Sequence, residues 1–147
     1  MIPMKMKSVL LATSLALVCS LQAAEKIVAG PKGGRLLEKT TPTTEFFVNK
    51  DRKVEINFYD AAKKSIAPAT QVVAVTAEPK SGRQPLDMEK TASGFVSKTA
   101  LPEGEPYRVV VQLREKPDAR PQNYRIELDL EKCGECKHAE YACTCGH

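Results

Sequence analysis

The chain has 147 residues, with 22 Lys and Arg against 18 Asp and Glu and a formal net charge of +4. That length holds one domain. The near-balance of charge leaves no electrostatic footprint for nucleic acid or for an anionic membrane.

Residues 1–24, MIPMKMKSVLLATSLALVCSLQAA, begin with the basic Lys5 and Lys7, run through apolar residues 9–18 and close on Ala23 and Ala24. This is the layout of a secretory signal peptide, and its apolar run is too short to span a bilayer. Cleavage after Ala23 or Ala24 predicts a periplasmic or secreted protein with no membrane insertion thereafter. It removes Lys5, Lys7 and Cys19, leaving 20 basic residues against 18 acidic ones, and four cysteines. Lipidation of Cys19 is disfavoured by the bulky Val18 in front of it.

Residues 25–44 read as a flexible lead-in with a short edge strand at 35–38. Their GPKGGR run lacks the G-x-x-x-x-G-K-[ST] spacing and the strand-to-helix setting of a phosphate loop. Residues 45–131 carry short runs rich in Val, Ile, Phe and Tyr: EFFV (45–48), KVEINFYD (53–60), TQVVAVTAE (70–78), PLDMEK (85–90), GFVSKT (94–99), PYRVVVQLR (106–114) and YRIELDL (124–130). In the last, Tyr124, Ile126, Leu128 and Leu130 share one face, and Arg125, Glu127 and Asp129 share the other. Period-two alternation with one polar face marks half-buried antiparallel strands, and Gly, Pro, Asn and Asp between the runs supply the turns. The stretch at 60–70 has room for one helical turn before Pro68. No amphipathic segment of helical length separates the strands, which disfavours a parallel α/β fold. The pattern predicts an all-β chain: an immunoglobulin-like antiparallel β-sandwich of about seven strands with an irregular Cys/His-rich C-terminal tail. LPEGEPY (101–107) places Tyr107 where a tyrosine corner would bond back to upstream backbone.

GPKGGRLLEK (30–39), EFFVNKDRKVEINFYD, APATQVVAVTAE and SGFVSKTALPEGEPYRVVVQL occur in this order. Together they resemble the small β-sandwich domain near the N-terminus of periplasmic adaptor subunits of heavy-metal efflux pumps of the resistance-nodulation-division type, and short stand-alone secreted proteins of the same pattern. The resemblance covers roughly residues 30–130. It implies export, a sandwich and a connection with metal handling, with an efflux-system protein as partner. The helical-hairpin, lipoyl-like and barrel domains of such adaptors have no counterpart here, so no pump-contact residue is carried over.

The tail, residues 132–147, holds the four remaining cysteines and both histidines. It contains Cys133-x-x-Cys136-x-His138 and Cys143-x-Cys145-x-His147, joined by AEYA. In extended backbone, residues two apart share a face, so Cys143, Cys145 and His147 line one arm, with Cys136 and His138 on the other. Arms folded back about residues 139–142 would bring six donors together. Thiolate and imidazole are ligands for zinc, and closely spaced thiolates suit copper(I). The four cysteines are the first choice of ligand, His138 the best substitute and His147 the least constrained.

The competing reading is oxidation in an exported protein. Cys133–Cys136 closes a small ring, Cys143–Cys145 is strained, and cross-pairings such as Cys133–Cys145 with Cys136–Cys143 staple the tail into a hairpin. An unstructured reactive tail is the third. Redox catalysis wants Cys-x-x-Cys at a helix N-terminus, and a Ser-His-Asp arrangement would need the tail to fold onto the sandwich. The sequence therefore reads as a non-enzymatic metal-binding protein or, alternatively, a structural or interaction module stapled by disulfides. With the tail outside the core, replacing Cys143 and Cys145 by Ser is expected to leave the sandwich's thermal transition nearly unchanged.

Overall fold

The computed structural model describes residues 26–146; residues 1–25, including the stretch read as a signal peptide, and His147 lie outside the described residues. Ten strands form: β1 Arg35–Leu37, β2 Thr43–Val48, β3 Val54–Tyr59, β4 Ser65–Ile66, β5 Val72–Glu78, β6 Gln84–Leu86, β7 Met88–Lys90, β8 Gly94–Ser97, β9 Tyr107–Arg114 and β10 Gln122–Leu128. One sheet runs β1-β2-β3-β8-β7, with β4 added on β3, and the other runs β10-β9-β5-β6. Every ladder is antiparallel. Strands β2, β3, β8 and β7 lie in the A-B-E-D order of an immunoglobulin domain, and β5, β9 and β10 in its C-F-G order.

The alternation read from sequence is the alternation of burial. In β9, Tyr107, Val109, Val111 and Leu113 are buried while Arg108 and Gln112 are exposed. They meet Val73, Val75 and Ala77 of β5 in register, and Ile126 and Leu128 of β10. Across the sandwich stand Phe46, Val54, Ile56 and Phe58. Each large side chain fully removed from water contributes about 1.5–3 kcal/mol.

Two local expectations change. The stretch 60–70 forms no helical turn. Asp60 Oδ1 instead accepts the N–H groups of Ala62 and Lys64, tightening a reversal into β4. PLDMEK is not one strand either, because β6 pairs with β5 in one sheet and β7 with β8 in the other. The chain changes sheets at Asp87, a recognised way of making a sandwich corner.

The tyrosine corner is present. Tyr107 Oη donates to Pro102 O at 2.5 Å. Arg52, in the β2–β3 turn, donates to the same carbonyl at 2.8 Å and pairs with Glu105 at 2.7 Å. Burial first, and the Glu105 charge second, push the Tyr107 phenol up to about 12. Its folded-state value lies above the ordinary value of about 10, so its contribution is complete below pH ~10 and lost as pH climbs toward 12. Ultraviolet titration is expected to show Tyr107 ionising only as the fold gives way; phenolate appearing at this residue near pH 10 in folded protein would contradict the corner.

Ahead of β1, residues 28–34 are fastened to the first sheet. Leu36 N–H donates to Val28 O, and Ala29 bridges Arg35. The GPKGG turn wraps the fully buried Glu45, whose carboxylate accepts Gly34 N–H at 2.8 Å, Lys32 N–H at 3.1 Å and Tyr59 O–H at 2.6 Å. A Cβ at Gly30 would collide with that carboxyl group, and one at Gly34 with Phe46 O, which is why this turn is glycine-rich. The run does cradle a carboxyl group, and that group is a side chain of its own chain.

Candidate metal centre

After β10 the chain makes a narrow return. Asp129 Oδ1 accepts Glu131 N–H, Lys132 bridges Ala139, and Cys133 N–H donates to His138 O at 2.9 Å. These bonds close residues 133–138 into a loop that presents Cys133 and Cys136. Glu140 N–H donates to Glu131 O and Tyr141 N–H to Asp129 O, so the returning arm lies along the outgoing one. One turn of 3₁₀-helix, Glu140–Ala142, then carries the chain back so that Cys143 and Cys145 face the first pair.

This turn is docked in the core, contrary to the expectation that the tail lies outside it. Tyr141 and Ala142 belong to the buried hydrophobic cluster, and Cys133 and Cys143 are buried beside them. The Tyr141 ring meets Phe46 edge-on, with centroids 5.6 Å apart. Its oxygen accepts Val48 N–H at 3.1 Å. Pairing of β1 with β2 ends at Phe46, so Tyr141 satisfies a strand-edge amide beyond that ladder.

The four thiol sulfurs converge, all lying within 4.8 Å of one another. Cys133 Sγ is 3.0 Å from Cys143 Sγ and 3.9 Å from Cys145 Sγ, and Cys136 Sγ is 3.8 Å from Cys143 Sγ. Tetrahedral zinc with Zn–S bonds of about 2.3 Å places its sulfurs ~3.8 Å apart. Two of these separations match, and the Cys133–Cys143 pair would open by about 0.8 Å around such an ion. Cys145 N–H points at Cys143 Sγ at 3.5 Å, the kind of main-chain donor that supports a thiolate ligand.

Metal-free, two of the thiols, Cys143 and Cys145, are biased by their neighbours toward the protonated form. Hydrogen bonding with Cys133 above all keeps Cys143 above the ordinary thiol range, and bonding with Cys143, then desolvation, does the same for Cys145. Four thiolates this close repel unless a cation sits among them, and a bound cation inverts that preference. The donor set fits a soft or borderline ion.

Among the described residues, His138 does not join this group. His138 is carried to the other side of the return, where a methyl on Gly33 would lie 3.5 Å from its Nδ1. His147 is outside the described residues. Sequence reasoning missed Tyr141, the residue that seats the site; the one available signal was an aromatic between two alanines, midway between the ligand pairs.

Fold and cluster together define an antiparallel β-sandwich with a four-cysteine site built into its last return. The chain matches no known family model, no curated protein and no solved structure.

Proposed function

We propose that this is an exported, non-enzymatic metal-binding protein that holds zinc or copper(I) on Cys133, Cys136, Cys143 and Cys145. The observation that carries the reading is the convergence of all four sulfurs within 4.8 Å. Two disulfides need only two separate pairs, whereas one ion needs four donors around a single point. The sandwich is the rigid carrier, gripping the return through Tyr141. Export rests on the layout of residues 1–24, and a role in metal efflux or homeostasis, with an efflux-system protein as partner, rests on the resemblance across residues 30–130 together with the thiol site.

Cobalt(II) substitution tests the site. Reduced protein is expected to take up one equivalent and develop the visible and near-ultraviolet absorption of tetrahedral cobalt–thiolate, with zinc bleaching it stoichiometrically. Spectra of octahedral, oxygen-ligated cobalt would remove the proposal. Binding should release protons and weaken as pH falls, because the ligands are thiolates.

A further inference from the structure

Beside the thiol cluster, between the GPKGG turn, the β2–β3 turn and the returning tail, lies a cleft of about 730 Å³. That volume falls within the range of small-molecule sites. Its charged side chains are all of one sign: Lys32, Lys50, Arg52 and Lys137, with His138 next to them and no Asp or Glu in the lining. The chain's overall charge is nearly balanced, so this is a local concentration that the total conceals.

Two of these cations are committed. Lys32 pairs with Glu55 at 2.5 Å, and Arg52 is held by Glu105 and the carbonyls of Leu101 and Pro102. Lys50 and Lys137 make no ion pair among the described residues, and both are exposed. The cleft thus offers two uncommitted ammonium groups and an imidazole. The half-buried Phe47 ring and the Tyr141 ring supply apolar wall. Behind these walls, Glu45 is occupied by the turn amides and Tyr59, and Glu55 by Lys32; Asp51 and Glu140 are neighbours of lining residues in the chain and stand outside the lining.

From this geometry we infer that the cleft is a binding site for a small polyanion, carrying either phosphate or several carboxylates. Like charges around a concave wall focus the field at its centre and attract an anion with at least two charged groups. Flexible ammonium groups on Lys50 and Lys137, rather than a rigid bidentate fork, suit oxyanions of varied shape. The inference does not depend on the metal reading, since the cleft's cations are present with or without an ion on the thiols.

The test is a titration of the reduced chain, with and without bound zinc and isotopically labelled for NMR, with inorganic phosphate and separately with tricarballylate at low ionic strength. Saturable shifts confined to the amides of Gly33, Lys50 and His138 are expected. Joint Lys50→Ala and Lys137→Ala replacement should weaken binding by about tenfold or more without moving the thermal midpoint. Preference for one probe names the anionic group, and saturation by either supports the site. Non-saturating shifts spread over many lysines, equal displacement by chloride at matched ionic strength, or a double variant that binds as well as the parent would overturn it. So would a double variant that alters only metal affinity, which would make these lysines counter-charges of the thiolate centre.

Discussion

Zinc-loaded protein is expected to unfold about 10–20 °C above the metal-free, reduced protein, in one cooperative transition. An ion that binds only the folded chain stabilises it by about 4 kcal/mol when its free concentration is a thousand times Kd. The gain reaches the whole sandwich because the ligands flank Tyr141 and Ala142, which are core residues. Two single variants separate ligation from packing. Cys145 is exposed, so Cys145→Ser should weaken metal binding while leaving the metal-free midpoint within a few tenths of a kcal/mol of the parent. Cys143 is buried against the cluster, so Cys143→Ser should also cost about 1–2 kcal/mol before any metal is added. Differential scanning calorimetry on the parent and both variants, with and without zinc, decides it. A metal-free Cys143→Ser protein as stable as the parent, or a zinc-independent midpoint, would place the tail outside the fold after all.

Truncating Tyr141 is expected to be the most damaging single change in the tail. Tyr141→Ala removes a 4% exposed ring from an edge-on contact with Phe46 and leaves the Val48 amide without its acceptor. The loss should be about 3–5 kcal/mol by urea unfolding. Tyr141→Phe keeps the ring and sacrifices only the hydroxyl, so it should cost about 1–2 kcal/mol. Both should weaken metal binding, since the 3₁₀ turn that Tyr141 anchors brings Cys143 and Cys145 back to Cys133 and Cys136. Alanine and phenylalanine variants equal to one another would show that the ring does not pack as described.

How far the sequence revealed this follows from the periodicity each element carries. Strands β5, β9 and β10 were legible because seven or eight residues rich in Val, Ile, Leu and Tyr carry period-two alternation, and on the face read for β10 Ile126 and Leu128 are buried and Tyr124 half-buried. Strand β4 has two residues, too few to show any period. The split of PLDMEK at Asp87 was hidden because a strand that changes sheets keeps its residue types. Tyr107 was legible as a corner because its turn and the following strand are local in sequence. Docking of the tail was not, since Tyr141 meets Phe46 and Val48, over ninety residues away.

The thiol cluster was legible from donor density alone. The division of labour between sulfur and imidazole was not, because the Lys132–Ala139 bridge that turns His138 toward Gly33 is a property of the folded return. The glycine-rich turn taught a similar lesson. Its spacing ruled out a phosphate loop, and only the fold reveals that its amides serve Glu45.

The most direct measurement is metal content together with free-thiol count on protein isolated from its native cells without added metal or reductant. The account predicts one transition-metal ion per chain and four thiols that react once a chelator has removed it. Two disulfides per chain with no metal would contradict it, leaving a stapled sandwich in place of a metal carrier.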